Sequence, residues 1–228
     1  MLNNKSVLAI IPARKSSKRL PNKNKLLLAG KPLVAWTIQE AKKSKYIDSL
    51  IISSDDHDIH EIASKYGVKS LHRPDHLATD RANTAQVCCE IINKLDKSFH
   101  YIILLQPTSP LRKSIHIDAA FDLLIKKSAE AVISVCEAEH TPIWMNTLPS
   151  DLSLEKFLPN KFKNMQSQEF EKYFRLNGAI YICETKKLVQ EKTFFLSKNI
   201  YAFKMDQRYS VDIDSIIDFK LAESLVSK

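Results

Sequence analysis

Apolar runs of strand length alternate along this chain with segments of helical period, and few folds accept that alternation. Residues 6–11 and 101–105 are apolar and rich in β-branched side chains, as strands buried on both faces of a parallel sheet must be. Between them the pattern reads helix over 32–43, with Pro32 in the first turn and Val34, Ile38 and Ala41 on one face. A strand over 50–53 follows, then a helix over 56–66 whose stripe of Ile59, Ile62, Ala63 and Tyr66 is closed by Gly67. A short strand over 68–71 and a helix over 84–95 complete the first half. Beyond residue 105 come a helix over 117–126, with Phe121, Leu124 and Ile125 inward, and a strand over 131–135. This order predicts the α/β class: a doubly wound, mostly parallel sheet with helices on both faces. Such sheets bind ligands beyond the carboxyl ends of their strands, at a topological switch point.

The rhythm breaks near residue 137. Residues 137–175 are polar and mixed in period, and they read as an insertion between 1–136 and 176–228. Strands over 178–183 and 200–203 and a helix over 215–225 restore the pattern. With 228 residues and 44% hydrophobic content, the chain can bury a sizeable core without a disulfide or metal staple. Cys88, Cys89, Cys136 and Cys183 form no CxxC spacing and read as buried small hydrophobes. No apolar run approaches the roughly 20 residues of a membrane span, and none resembles a signal-peptide core. No membrane partner and a cytoplasmic location are therefore expected.

Net charge is informative once it is located. The formal charge is +8, and residues 1–25 carry seven Lys and Arg with no Asp or Glu, leaving 27 bases against 26 acids elsewhere. Most of those bases fall in one loop after the first strand: Arg14, Lys15, Lys18, Arg19 and Lys23, with Ser16, Ser17, Asn22 and Asn24 among them. Arg can fork two phosphate oxygens and Lys supplies a point charge, so the loop suits a compact polyanion. It is no P-loop, because it lacks glycine. A solvated basic turn and a nucleic-acid contact are the other readings. One basic loop on an otherwise neutral chain, without a nucleic-acid-binding motif, argues for no nucleic-acid partner.

Three further segments carry chemistry. Asp212-Ile213-Asp214 stands before the last helix; alternate residues of an extended segment point the same way, so both carboxylates can face one site and hold Mg²⁺. Asp214 serving only as a helix cap is the equal alternative. Arg175 and Asn177 precede a strand and could grip a carboxylate and hydroxyls, or could be an ordinary strand entry. Gln106-Pro107-Thr108-Ser109-Pro110 follows the second apolar strand, where a site loop belongs.

Taken in order, these segments resemble the CMP-sialic acid synthetases (N-acylneuraminate cytidylyltransferases) over essentially the whole chain. The likeness runs through Ile11-Pro12-Ala13-Arg14, Ser17-Lys18-Arg19-Leu20-Pro21-x-Lys23-Asn24, Leu71-x-Arg73-Pro74 and Leu77-Ala78-x-Asp80. It continues through 104–112, Asn177-Gly178-Ala179-Ile180-Tyr181 and Asp212-Ile213-Asp214. The resemblance implies a Rossmann-like nucleotidyltransferase, a homodimer whose insertion caps the partner's site. It implies coupling of CTP to an acidic nine-carbon 2-keto sugar, with Mg²⁺, to give a CMP-sugar and pyrophosphate. By the same resemblance Arg14, Ser17, Lys18, Lys23 and Asn24 handle triphosphate and ribose, and Arg73, Ala82 and Thr84 surround base and ribose. Gln106, Arg175, Asn177 and Tyr181 approach the sugar, Phe194 and Phe195 match an aromatic pair contributed across the dimer, and Asp212 and Asp214 hold the metal. Arg14, Lys23, Asp212 and Asp214 are the catalytic candidates, with Asp214 the candidate base.

Two departures stand out. Many relatives carry Gly in the phosphate loop where this chain has Lys15-Ser16, and sialic-acid-specific members can carry Lys at the position of Trp144. The second makes legionaminic acid an alternative to N-acetylneuraminate. A Kdo synthetase shares the CTP chemistry, and a glycosyltransferase using 212–214 as a DxD motif is a more distant rival.

Overall fold

The computed structural model describes residues 5–79 and 82–226, so Asp80 lies outside the described residues. In chain order the elements are β1 (Val7–Pro12), β2 (Leu27–Leu28), β3 (Lys31–Pro32), α1 (Leu33–Lys43), β4 (Ser49–Ser54), α2 (His57–Lys65), β5 (Lys69–His72) and α3 (Thr84–Asn93). There follow β6 (Tyr101–Leu104), α4 (Ser114–Lys127), β7 (Ala131–Glu137), β8 (Phe174–Glu184), α5 (Thr185–Glu191), β9 (Ile200–Lys204) and α6 (Ile216–Val226). The main sheet runs β5-β4-β1-β6-β8-β7-β9, and only β8 is antiparallel to its neighbours; β2 and β3 form a separate hairpin.

β1 is apolar throughout because both its faces are covered. Val7, Ala9 and Ile11 point into a layer shared with α1, α2 and α4, while Leu8 and Ile10 face the layer under α3. From β1 the chain first builds outward through β4 and β5, then returns to place β6 on the other side. The switch point therefore falls between the carboxyl ends of β1 and β6. β8 runs the opposite way, so its entry residues, Asn177 and Gly178, reach that same edge.

Local signals explain most boundaries. Asp56 caps α2 by accepting from Asp58 N at 3.1 Å, and Gly67 takes φ +64° just beyond the helix. α4 starts at Ser114 rather than 117, and Ile125 is 43% exposed instead of inward, because the buried row is Ile117, Phe121 and Leu124. The sequence reading also omitted α5 and the β2–β3 hairpin, both too short to show a period.

The segment read as an insertion is trimmed by the sheet at both ends: β7 runs through Glu137 and β8 begins at Phe174. Between them lie three single 3₁₀ turns and a small ring cluster, with Trp144 edge-on to Phe170 at 5.5 Å and Phe162 at 5.8 Å from the same ring. Met145, Leu148, Leu152 and Leu154 along this arm are all more than half exposed. No described helix is long and apolar enough to cross a membrane.

Candidate active site

The carboxyl ends of β1 and β6 open into a cavity of about 320 Å³. Arg14, Ser17, Lys23, Asn24, Arg73, Ala82, Thr84, Gln106, Asp212 and Asp214 all line it. Ten residues read from separate stretches of sequence thus meet in one place. Ser16 of the basic loop and Thr108 of the 106–110 loop join them, as does Thr79, which no motif singled out.

The basic loop is shaped by its own side chains. Asn22 takes a left-handed φ of +56°, turning the chain into a 3₁₀ turn over Lys23–Lys25. Buried Asn24 donates Nδ2 to the Arg14 carbonyl at 3.0 Å and folds the loop back on β1. Lys15 N donates to Asp55 Oδ1 at 2.7 Å, anchoring the loop to the end of β4. The cations divide by task. Lys25 ion-pairs with Asp58 at 2.7 Å and Asp56 at 2.9 Å, and those bonds raise its pKa; it tethers the loop to α2 and faces no ligand. Lys18 is exposed and is not among the cavity-lining residues.

Lys23 and Arg19 reach across to the far end of the chain. Lys23 Nζ donates to the Ile213 carbonyl at 2.6 Å and to Asp214 Oδ1 at 3.0 Å, and Arg19 Nη2 bonds Asp214 Oδ2 at 2.8 Å. The capping alternative for Asp214 fails, because Ser215 fills that place. Ser215 Oγ accepts from Asp218 N while Asp218 Oδ2 accepts from Ser215 N, a reciprocal cap that leaves the Asp214 carboxylate to the site. Burial raises the Asp212 carboxyl above the usual aspartate value, and the charge of Asp214 adds to this; a Thr108 hydroxyl bond, Lys23 and Arg175 oppose it.

Behind the cavity stands a support that the sequence did not reveal. Arg112, 1% exposed, donates to the carbonyls of Ala179 (2.8 Å) and Gln106 (3.1 Å) and to Thr37 Oγ1 (2.8 Å). Burial pushes its pKa down to about 9. It ties the Gln106 loop to β8, and Ile213 N completes the junction by donating to the Thr108 carbonyl at 2.8 Å. Its only sequence signal was its place at the end of the 104–112 stretch.

The predicted sugar contacts fare unevenly. Asn177 is fully buried: its Oδ1 accepts from Ser134 Oγ (2.6 Å) and Ala179 N (3.2 Å), and its Nδ2 donates to Ser210 Oγ (2.9 Å) and Met205 Sδ (3.4 Å). With its amide so engaged it is a strut between β7, β8 and the 205–210 turn, and its side chain is not free for a sugar hydroxyl. Phe194, 5% exposed, packs in its own chain's core at 5.8 Å from the Tyr181 ring, so it is not the half of a pair offered to a partner. Phe195, 52% exposed and 6.4 Å from the same ring, remains presentable. Arg175 lies outside the cavity lining, bonded through two nitrogens to Glu139. Arg73 is also partly engaged: its Nη2 and Nε donate to the Ser53 carbonyl (3.0 Å) and hydroxyl (3.2 Å), and burial lowers its pKa.

A cation would find a limited protein donor set. No cluster of three or more His, Cys, Asp or Glu side chains suited to a metal occurs among the described residues. Two carboxylates, Asp212 and Asp214, line the cavity, and the raised Asp212 pKa marks a place where added positive charge would be favoured. That set fits a hard ion which takes its remaining ligands from water and phosphate.

A family model described as cytidylyltransferase matches residues 8–228. The chain is 36% identical over 225 residues to a CMP-N,N'-diacetyllegionaminic acid synthase of Legionella pneumophila, covering 96% of each. It is 35% identical over 214 residues to an N-acylneuraminate cytidylyltransferase of Streptococcus agalactiae, covering 93% of this chain and 51% of that one. A pseudaminic acid cytidylyltransferase of Campylobacter jejuni is 30% identical over 222 residues, covering 96% of this chain and 95% of that one. In fold, the chain matches a solved CMP:2-keto-3-deoxy-manno-octonic acid synthetase complexed with CTP, with a TM-score of 0.72 at 15% identity over 97% of this chain and 98% of that one.

Proposed function

The chain belongs to the cytidylyltransferase family, among the CMP-nonulosonate synthetases, and we propose that it couples CTP to a nine-carbon 2-keto acid sugar with release of pyrophosphate. The observation that carries this reading is the junction of Lys23 and Arg19 with Asp214, which brings the basic loop and the twin aspartates onto one cavity.

In the proposed reaction the sugar's anomeric 2-hydroxyl oxygen attacks the α-phosphorus of CTP. The bond from that phosphorus to the β-bridging oxygen breaks, and pyrophosphate leaves. Such a displacement depends on positioning and charge neutralisation rather than on a protein nucleophile. Arg14 and Lys23 bind the triphosphate and offset charge on the leaving group. Arg73, Ala82 and Thr84 line the nucleoside side and Gln106 the sugar side, with Arg175 and Tyr181, on β8 outside that lining, as the further sugar contacts. The hydroxyl proton is taken up at the paired carboxylates Asp212 and Asp214, directly or through a bridging water, with two cations already holding Asp214. Asp212 and Asp214 would hold Mg²⁺, which when bound neutralises phosphate charge.

The arm between β7 and β8 presents its exposed leucines to a second copy of the chain, with Phe195 the aromatic residue left free to reach a neighbouring site. A cytoplasmic location suits a reaction that consumes CTP. Trp144, which stands where sialic-acid-specific members can carry Lys, supports the legionaminic reading of the sugar. Purified protein given CTP, Mg²⁺ and a panel of N-acetylneuraminate, N,N'-diacetyllegionaminate and Kdo should release pyrophosphate with a nine-carbon acid. Release with none of them overturns the proposal, and release with Kdo alone reassigns it.

A further inference from the structure

We infer that Glu139 is a positioning residue for the sugar's carboxylate: it fixes the Arg175 guanidinium and leaves that group's outer fork for the substrate. The inference rests on the proposed function and extends it to a residue at the root of the arm.

Glu139 lies two residues beyond the end of β7, and Arg175 is the second residue of β8. The strands still run together there, since Cys136 pairs with Arg175 and Ala138 N donates to the Tyr173 carbonyl at 2.8 Å. Glu139 Oε2 accepts from Arg175 Nε at 3.0 Å and Oε1 accepts from Nη2 at 2.7 Å. A guanidinium carries five N–H donors. This side-on pair engages two of them and sets the plane of the group. The outer fork, the other Nη2 hydrogen and those of Nη1, keeps one long bond, from Nη1 to the Leu176 carbonyl at 3.5 Å. A fork of that geometry matches a carboxylate in two-point contact.

The guanidinium also lies within electrostatic reach of the cavity wall. Asp212 is among the charges acting on Arg175, and Arg175 among those acting on Asp212. This gives Glu139 a second consequence. An Arg175 released from Glu139 has Asp212 as a competing anion, and a guanidinium drawn there would cover the sugar side of the cavity. The Arg175 side chain is 37% exposed and that of Glu139 53%, so neither is locked in place by packing alone.

Steady-state kinetics of E139Q test this, with substrate affinities read separately for the acid sugar that the unaltered chain turns over and for CTP. The expected result is a rise of about tenfold or more in KM for the sugar, with KM for CTP within about twofold. R175K should show the same sugar-selective defect, because Lys cannot be held in a two-point pair. E139Q added to R175K should then change the sugar KM by less than about twofold. An unchanged sugar KM in E139Q overturns the inference. So does a lowered one, which would make Glu139 a competitor of the substrate, or an equal rise for both substrates, which would mark general damage. Absence of turnover in the unaltered chain overturns the parent reading and this inference with it, whereas normal turnover with an unmoved sugar KM overturns the role of Glu139 alone.

Discussion

Gly178 lies against Asp212 so closely that a methyl group on its Cα would sit 3.2 Å from Asp212 Oδ2 and 3.0 Å from Gln106 Oε1. Its φ of +72° also belongs to the region that side-chain-bearing residues rarely adopt. Gly178→Ala is therefore expected to displace two site side chains at once. Turnover should fall about tenfold or more, with about 1 kcal/mol or more of stability lost. Parallel assays of kcat and thermal unfolding check this; a variant with unaltered kcat shows that the contact does not hold Asp212 in its working position.

The basic loop makes a prediction that separates its lysines. Lys23→Ala removes a cation that lines the cavity and bonds Asp214, and should cost about a hundred- to a thousandfold in kcat/KM. Lys25→Met removes a cation committed to Asp56 and Asp58, and should leave kcat/KM within about twofold while lowering Tm by a few degrees. Similar losses in both variants would mean that the loop acts as a diffuse charge.

At Asp212 the proposed role opposes stability. Burial raises its carboxyl pKa, so at neutral pH its ionised form costs folding free energy. Asp212→Asn should unfold at a higher temperature than the unaltered chain at pH 7 in the presence of a chelator, while turnover with Mg²⁺ falls about a hundredfold or more. A lowered Tm would show that its bond with Thr108 outweighs the cost of burying the charge.

Acid sensitivity is expected from His116. Its Nδ1 accepts from Lys113 N at 3.1 Å, and its ring packs on Tyr209 at 4.6 Å. Burial first, then the charges of Arg112 and Lys113, lower its pKa below 6.5. The unfolded chain thus binds the proton more tightly than the folded one. The linkage costs nothing above pH 6.5, and stability is lost as pH falls from there to the folded value. Denaturant midpoints should decline from pH 7 to pH 5 more steeply in the unaltered chain than in His116→Gln. Parallel slopes would remove His116 from the acid response.

The main strands and helices were legible because each leaves a local periodic mark. β1 is apolar on both faces, and the Ile59–Ala63 row with Gly67 after it defines α2 before any coordinates. The basic loop and the paired aspartates, which line one cavity, were legible for a similar reason, since both are unusual in type and spacing. The sugar side was less so. Asn177 read as a ligand-binding amide because sequence shows a donor and an acceptor but not what they meet; the fold surrounds it with Ser134, Ser210 and Met205. Arg112 carried no role of its own in the sequence, although burial makes it the pin behind the Gln106 loop.

The sequence by itself determined the α/β alternation, the strand after which the basic loop falls, and the chemical types suited to a polyanion. These follow from side-chain period and charge, which are properties of neighbours along the chain. Only the tertiary structure decided which cations face the cavity, that Asp214 is released from capping α6 and that Glu139 holds Arg175. Those facts depend on residues up to 195 positions apart, such as Arg19 and Asp214, being brought within bonding distance by the strand order. No local rule encodes such a meeting, because the bond exists only once β1, β6 and β8 are set side by side.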